Sequence, residues 1–378
     1  MNKNIVYIGH FDLKQKNAAY FRVRNNGKIF NSLGNVVIYI GIMKENPKQI
    51  KFNNDENFIL YPKNFLNWLK YFFNTKKIFD KTNYIKNADI IILYDPIFFI
   101  FIYFYFYCKR NKIKLILDLT EWYGFQGKNI LFKIIKGIDS NLVLRLMCKK
   151  VDGLILVSKN FYKYFKRYKN KAYIPPLVDI EEKKWENNSQ ASKNDKDEIV
   201  KFIYFGEPGR GRKDDLNFLV KTFSKLNNKN FVLNIVGITK EDFLILNKKN
   251  GNNFIETKNI KFHGRLTHEK TLELLKNSDF SIFIRKSNVT NTFGFPTKFV
   301  ESFSMGIPVI TNITSNIGDY LIDGFNGFIV NYSSLEIKLN YILNLKKDDI
   351  IKLKNNVRRD LFWYKNYINK MKRVIENL

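Results

Sequence analysis

Residues 200–226 read VKFIYFGEPGRGRKDDLNFLVKTFSKL, and this stretch decides the fold. The apolar and aromatic run at its start predicts a buried strand at Val200–Phe205. The glycine-rich segment that follows predicts a tight loop, and the apolar periodicity over Leu216–Leu226 predicts a helix. A strand, a glycine loop and a helix in this order begin a βαβ unit, so we expect a mostly parallel sheet.

The same alternation of short apolar runs and longer helical patterns extends along the whole chain. It predicts strands at Ile5–Ile8, Val36–Ile40, Asp89–Tyr94, Lys114–Leu117, Gly153–Val157 and Ala172–Ile174, and again at Val200–Phe205, Phe231–Val236, Ile260–Phe262, Phe280–Ile284, Pro308–Thr311 and Gly327–Val330. A polar, charged stretch separates the two series and is typical of a linker or surface loop. At 378 residues the chain also exceeds the usual size of one hydrophobic core.

We therefore predict an α/β protein in which two doubly wound, Rossmann-like domains face each other across a cleft. An N-terminal domain spans 1–178, a linker or surface loop 179–199, and a second domain 200–360. The segment 361–378 has helical character, and we expect it to pack back on the N-terminal domain. Ligands of such sheets bind beyond the carboxyl ends of the strands, which directs attention to the loops there.

Composition excludes several classes of protein. With 45% hydrophobic and 16% aromatic residues, the chain can bury two cores and is not a disordered protein. Cys108 and Cys148 have no Cys/His cluster around them, so we expect no metal site, no disulfide framework and a cytoplasmic protein. The N-terminal apolar run is too short for a signal peptide and is interpreted as the first strand.

The net charge of +29 has two explanations, which both stay open. It would attract nucleic acid, anionic lipid or a phosphorylated substrate. Alternatively, it reflects a general abundance of lysine, because the charge is dispersed along the chain. Nucleic-acid binding would favour a basic stripe with interleaved aromatic residues, so we expect no nucleic-acid partner and rank that function below an enzyme.

The aromatic run Ile97–Cys108 raises the question of a membrane. It has about twelve apolar or aromatic residues, whereas a helix needs ~20 to span a bilayer. Two interpretations remain: a helix buried behind the sheet, or a partly exposed aromatic face on the inner surface of the cytoplasmic membrane. The second would use the basic residues that follow, which are Lys109, Arg110, Lys112 and Lys114.

Two loops of the second domain carry the chemistry. The loop after Val200–Phe205 combines glycines with cations at a helix start, which favours a phosphate site; its residues are Gly206, Gly209, Arg210, Gly211, Arg212 and Lys213. Residues 291–311 read NTFGFPTKFVESFSMGIPVIT, and they predict a helix that begins near Pro296 and ends at Gly306. Lys298 and Glu301 share one face of this helix, suited to a diphosphate and a ribose diol, although the pair alone could be a surface salt bridge.

Four blocks together resemble the donor domain of the retaining family-4 glycosyltransferases, also called glycosyl transferases group 1, of the bacterial surface-polysaccharide type. The blocks are FHGRL at 262–266 with NSDFSI at 277–282, Lys298-x-x-Glu301, MGIPVIT at 305–311 and IDGFNGFIV at 322–330. They occur in the family's order. The resemblance implies the GT-B fold for the two domains predicted above. It also implies a retaining, metal-independent transfer of a sugar from a UDP- or GDP-sugar to a glycan or polyprenol-linked hydroxyl in polysaccharide biosynthesis, with no other cofactor.

The resemblance also implies roles for individual residues. Glu301 would hold the ribose hydroxyls, while Arg212, Lys213 and Lys298 would neutralise the diphosphate and act in catalysis. The remaining donor contacts would come from Gly206, Gly209, Arg210, Gly264, Arg265, Gly294, Phe295, Pro296 and Thr297. The N-terminal half would be the acceptor side. Its strand-end loops offer His10, Asp118, Glu121 and Trp122, and the first helix offers Arg22 as a cation on the wall of the cleft.

The chain departs from the family at one position. In the family, the motif Glu-x7-Glu places a glutamate eight residues before the one that corresponds to Glu301, and this chain has Phe293 there. That glutamate contacts the transferred sugar, so a nucleotide-sugar epimerase and a donor-binding protein without transfer activity stay as alternatives. On the acceptor side, a capped turn with Trp122 in the core is an equally supported interpretation of the loop around Asp118.

Overall fold

Two units make up the chain in its computed structural model, which describes residues 2–14, 16–43, 53–60, 83–123, 130–186, 199–208, 213–248 and 257–378. The N-terminal unit comprises Met1–Leu177, Thr292–Phe295 and Tyr364–Leu378. The C-terminal unit comprises Val178–Asn291 and Pro296–Trp363. Each unit contains its own sheet, as the restart of the strand and helix pattern predicts.

The N-terminal unit is built on a seven-stranded parallel sheet. Its strands are β1 Asn4–Gly9, β2 Val36–Met43, β3 Glu56–Leu60, β4 Ile90–Tyr94, β5 Lys114–Leu119, β6 Gly153–Leu156 and β7 Lys171–Tyr173, in the order β3-β2-β1-β4-β5-β6-β7. Strands β4 and β6 are apolar throughout, and β1 is apolar after Asn4, because both faces of a parallel sheet are covered by helices. The strand order reverses between β1 and β4, where a doubly wound sheet opens its crevice.

The helices of the N-terminal unit connect these strands. They are α1 Ala18–Ser32, α2 Asn83–Lys86, α3 Phe98–Asn111, α4 Ile130–Arg145, α5 Lys159–Tyr164 and, at the end of the chain, α13 Ile368–Glu376. Helix α13 packs against α1 and β7, and the Asn170 amide donates a hydrogen bond to the Val374 carbonyl. Its buried face is formed by Met371 and Val374.

The C-terminal unit contains a six-stranded parallel sheet. Its strands are β8 Val200–Phe205, β9 Phe231–Val236, β10 Ile260–Phe262, β11 Phe280–Phe283, β12 Val309–Thr311 and β13 Gly327–Ile329, in the order β10-β9-β8-β11-β12-β13. The order reverses between β8 and β11. The prediction of two doubly wound α/β domains is therefore confirmed.

The helices of this unit are α6 Leu216–Lys225, α7 Lys240–Lys248, α8 His268–Lys276, α9 Val289–Phe293, α10 Thr297–Met305, α11 Leu335–Leu343 and α12 Lys347–Asn355. The last residues of α9, Thr292 and Phe293, belong to the N-terminal unit. Helix α10 follows Pro296 and ends at Gly306, whose φ of 79° is left-handed, as the sequence predicts.

Two features differ from the sequence prediction. The sequence did not predict strand β3. In the structure it lies at the edge of the sheet beside β2 and is only partly buried. We predicted a linker or surface loop at 179–199, and its described part contains a short 3-10 helix, Lys183–Trp185, in which Trp185 is buried. Residues 187–198 of that segment lie outside the described residues.

Candidate functional site

Glycines bring the strand-end loops of the C-terminal unit close together. Gly206 and Gly237 follow β8 and β9, and both have a left-handed backbone, with φ of 103° and 110°. The Gly206 amide donates to the Val236 carbonyl at 3.1 Å, and the Gly237 amide donates to the Gly264 carbonyl at 2.7 Å. A Cβ at Gly237 would lie 2.6 Å from the Gly206 oxygen, so a side chain has no room there. The three strand ends thus form a tightly packed backbone platform.

The ammonium of Lys298 lies beside this platform. It extends from the first turn of α10, and its Nζ is 2.5 Å from Oδ2 of Asp214 and 4.2 Å from the centre of the Tyr204 ring. A Cβ built on Gly206 would be 3.5 Å from the same Nζ. The cation therefore reaches the start of the glycine loop, where the sequence predicts a phosphate.

Asp214 contacts three polar side chains of this region, which are Tyr204, Lys298 and Arg285. Tyr204 donates its hydroxyl hydrogen bond to Oδ2 of Asp214 at 2.9 Å, and Nε of Arg285 lies 3.6 Å from Oδ1. Burial acts to raise the pKa of Asp214, but the charges of Lys298 and Arg285 outweigh it, so the pKa is lowered. Burial lowers the pKa of Lys298, with Asp214 acting in the opposite direction. With two cations around one carboxylate, the cluster favours an anionic ligand.

Glu301 lies one helical turn beyond Lys298 on α10. Its carboxylate Oε1 is 3.1 Å from Nε2 of His268, the first residue of α8, and the Glu301 side chain is 18% exposed. The charge of Glu301 acts to raise the pKa of Lys298. A cation at the glycine platform and a partly exposed carboxylate beside it can bind an anion together with neighbouring hydroxyl groups.

A cavity of about 440 Å³ adjoins the platform at the carboxyl ends of β9 and β10. Its lining residues are Thr239, Lys240, Glu241, Thr257, Ile260, Phe262, His263 and Gly264. The His263 ring is fixed by a 2.9 Å contact between Nε2 and the Asn234 side-chain oxygen. The cavity is large enough for a heterocyclic base.

The other predicted donor-site residues lie on several separate elements of the C-terminal unit or outside the described residues. Arg265 follows Gly264 and pairs with Glu207 at 3.6 Å, with both side chains well exposed. The Lys213 carbonyl accepts hydrogen bonds from the Asn291 amide and the Lys286 backbone. Pro296 precedes α10, and Thr297 is its first residue. Gly209, Arg210, Gly211 and Arg212 lie outside the described residues.

Phe293, the residue at the position of the expected glutamate, is a packing residue of the N-terminal unit. Its ring centre lies 4.7 Å from that of Trp122, 5.0 Å from Phe161 and 6.0 Å from Tyr164. The Ser158 hydroxyl donates to the Phe293 carbonyl at 2.5 Å. Gly294 and Phe295, both predicted as donor contacts, are buried in the same unit. The position is therefore held by an aromatic cluster in this chain.

Arg22 and Asp118, predicted on the acceptor side, are paired with each other in the interior of the N-terminal unit. Nη2 of Arg22 is 2.6 Å from Oδ1 of Asp118, and the two residues are 4% and 0% exposed. Asn26 and Tyr7 also donate hydrogen bonds to Asp118. The structure thus assigns the pair to the core, where we had predicted contact with an acceptor.

Of the remaining acceptor-side residues, His10 follows β1, and Glu121 and Trp122 follow β5. Trp122 is buried against Phe161, which agrees with the core interpretation of its loop, whereas His10 and Glu121 are half-buried. Near them, Asp95 has a left-handed φ of 38° and accepts a hydrogen bond from the Thr120 amide. Burial raises the pKa of Asp95 to about 7, although the Thr120 hydrogen bonds lower it.

Three contributors to the site were not predicted from sequence: Gly237, Asp214 and His268. A glycine directly after the apolar strand β9 is a recognisable signal, because it repeats the strand-to-glycine pattern at Gly206. Asp214 and His268 had no such signal, since their partners on α10 lie 84 and 33 residues away. Among the described residues, no group of three or more His, Cys, Asp or Glu side chains is arranged to hold a metal ion.

Comparisons with known proteins agree with the fold of the two units. Residues 184–360 match the protein family Glycosyl transferases group 1. Sucrose-phosphate synthase from Thermosynechococcus elongatus is similar in structure, with a TM-score of 0.74 at 14% identity over 99% of this chain and 98% of that one. Anabaena Alr3699/HepE, in complex with UDP and glucose, has a TM-score of 0.68 at 12% identity over 100% of both chains.

A third similar structure is WaaG, a glycosyltransferase involved in lipopolysaccharide biosynthesis. Its TM-score is 0.65 at 13% identity, over 97% of this chain and 98% of that one. No curated protein sequence matches the chain. The two parallel-sheet units thus match the GT-B fold of these glycosyltransferases, and residues 184–360 carry the group 1 family match.

Proposed function

We propose that this chain, whose residues 184–360 match the glycosyl transferases group 1 family and whose fold is GT-B, is a retaining glycosyltransferase. It transfers a sugar from a nucleotide diphosphate to the hydroxyl of a glycan or lipid-linked glycan, without a metal, in the synthesis of a cell-surface polysaccharide. The observation that carries the proposal is the pair Lys298 and Glu301 on one face of α10, beside the glycine platform.

The proposed step breaks the bond between the anomeric carbon and the diphosphate oxygen and forms a bond from the acceptor oxygen to that carbon on the same face. The acceptor proton passes to the leaving diphosphate, so atoms and charge balance. Negative charge grows on the diphosphate as the bond breaks, and fixed cations and backbone amides stabilise it. Lys298 and the glycine loop after β8 would supply this stabilisation, together with Arg212 and Lys213.

The donor is proposed to be a UDP- or GDP-sugar. The complex of HepE with UDP and glucose supports the first of these. In this chain, Glu301 would accept hydrogen bonds from the ribose hydroxyls, and the cavity lined by Phe262 and His263 would take the base. His10 and Glu121 are the half-buried groups that we propose for the acceptor.

Our first prediction tests donor binding by thermal unfolding with UDP, GDP, UDP-glucose, GDP-mannose and ADP. A ligand at about 100 times its Kd stabilises the folded state by about 2.7 kcal/mol, so the matching nucleotide should raise Tm by several degrees. Glu301→Ala removes the carboxylate that would accept hydrogen bonds from the ribose, and we expect the Kd of the variant for the matching nucleotide to rise about tenfold. Glu336→Ala, on the first turn of α11, is the matched control and should leave the shift unchanged.

An assay of sugar transfer, run with the donor that stabilises the protein, separates two candidate functions. Because Phe293 packs where the family has a glutamate, a protein that binds the donor without transferring the sugar is the second candidate. Donor binding with transfer to an added acceptor supports the first candidate, and binding without any turnover supports the second. An absence of stabilisation by every nucleotide at millimolar concentration would contradict both.

We also propose that helix α3 rests on the inner face of the cytoplasmic membrane. Phe99 and Phe106 lie seven residues apart on one face of the helix and are 46% and 61% exposed. Lys109 and Arg110 are exposed in its last turn. No helix in the described part of the chain is long and apolar enough to cross a bilayer, so attachment through α3 would be peripheral.

The second prediction is that the protein floats with vesicles that contain anionic lipid and much less with purely zwitterionic vesicles. Replacing both Phe99 and Phe106 with serine should lower the bound fraction at least about tenfold, since each ring would be partly buried in lipid. The control is Phe325→Ser, an aromatic side chain of the C-terminal unit that is 48% exposed. Equal binding by the double variant and the wild type would contradict the proposal.

A further inference from the structure

His268 is the only protein group that holds Glu301 by a hydrogen bond among the described residues. Nε2 of the imidazole lies 3.1 Å from Oε1, and both side chains are 18% exposed. An ionised carboxylate only accepts hydrogen bonds, so Nε2 carries the proton and donates it. The contact leaves Oε2 of Glu301 without a hydrogen bond from the described residues.

A helix cap fixes the backbone at His268, and an aromatic contact restrains its imidazole. His268 is the first residue of α8, where the Thr267 side chain caps the helix by accepting from the Lys270 amide. The Trp185 ring meets the imidazole edge to face, with centres 6.2 Å apart. Trp185 is buried, and its carbonyl accepts a hydrogen bond from Nη2 of Arg359. The donor to Glu301 is therefore fixed before any ligand arrives.

We propose that His268 is a positioning residue for nucleotide recognition, and that the His268–Glu301 pair selects ribonucleotides over 2′-deoxyribonucleotides. By donating to Oε1, His268 orients the plane of the carboxylate so that Oε2 and the second lone pair of Oε1 accept from the vicinal ribose hydroxyls. A carboxylate left to rotate would have to be ordered by the ligand at a cost in affinity. The inference rests on the proposed function, since it assigns the ribose to Glu301.

The third prediction compares nucleotide pairs that differ by one hydroxyl. Kd is measured by calorimetry for UDP against 2′-deoxy-UDP and for GDP against 2′-deoxy-GDP. The wild type should prefer the ribonucleotide. His268→Leu should raise the Kd of the ribonucleotide about tenfold and should change the Kd of the 2′-deoxyribonucleotide far less. His268→Gln, whose amide nitrogen reaches the position of Nε2, should restore most of the preference. Glu301→Gln should lose the preference as His268→Leu does.

The outcomes distinguish this inference from the proposed function. A wild type that binds neither nucleotide pair would overturn the proposed function and this inference with it. Loss of the ribose preference in Glu301→Gln but not in His268→Leu would overturn the inference alone. Equal weakening of the ribo and deoxy ligands by His268→Leu would also overturn it, because that pattern reports a general structural effect.

Discussion

Replacing Asp118 with alanine is expected to lower the free energy of unfolding of the N-terminal unit by about 3–5 kcal/mol. Asp118 is 0% exposed and accepts hydrogen bonds from Nε and Nη2 of Arg22. Removing the carboxylate leaves the Arg22 guanidinium buried with the Ile174 carbonyl as its other hydrogen-bond acceptor. An uncompensated buried charge of this kind is among the most destabilising changes in a protein interior.

Tyr7 adds to this effect. Burial and the charge of Asp118 raise the pKa of Tyr7 well above its ordinary value, so its hydroxyl stays protonated and donates to Asp118. Asp118→Ala would leave this hydroxyl without its carboxylate acceptor. Hydrogen exchange of β1, β4 and β5, followed by mass spectrometry, measures the loss in the N-terminal unit by itself.

The matched control is Asp55→Ala in the same unit. Asp55 pairs with Arg24 at the same 2.6 Å distance, but the two side chains are 35% and 27% exposed. Partly exposed pairs contribute about 0–1 kcal/mol, so the control should change stability little. If the two variants differ by less than about 1 kcal/mol, the Arg22–Asp118 pair does not stabilise the fold as we expect.

These residues also show where prediction from sequence ends. The strands were predictable because parallel sheets bury both faces, so β4 is a continuous apolar run and β1 and β8 have one polar residue each near their start. Strand β3 was missed because it lies at the sheet edge and only one of its residues is buried. For an edge strand, partial exposure permits polar residues, and the apolar signal is lost.

For the site residues, relations within one helix could be predicted from sequence, whereas contacts between distant segments could not. The sequence alone predicts that Lys298 and Glu301 share one face of a helix, because residues three positions apart do so by local helix geometry. Asp118 was assigned to the acceptor because strand-end loops carry function in such sheets, and Arg22 because it lies on the helix after the first strand. Their pairing spans 96 residues, and only the folded chain reveals that they neutralise each other in the core.

Replacing Lys298 with methionine is expected to raise the Kd of UDP about 100-fold, equivalent to about 2.8 kcal/mol, while the Kd of uridine stays nearly constant. The ammonium reaches Gly206, the first glycine of the loop after β8, so on the proposed function it should contact the diphosphate and not the nucleoside. Methionine keeps the length of the side chain and removes the charge. Asp214 keeps Tyr204 and Arg285 as partners in the variant, which limits the loss of stability.

Lys286→Met is the control for a general effect of charge. Lys286 is 44% exposed and pairs with Asp215 at 3.6 Å, so removing its charge should weaken UDP binding far less. Glu301→Ala should give the complementary pattern, because a lost ribose contact weakens UDP and uridine alike. If Lys298→Met weakened uridine as much as UDP, Lys298 would serve the fold through Asp214, and the phosphate would have to be held by the cations of the loop after β8.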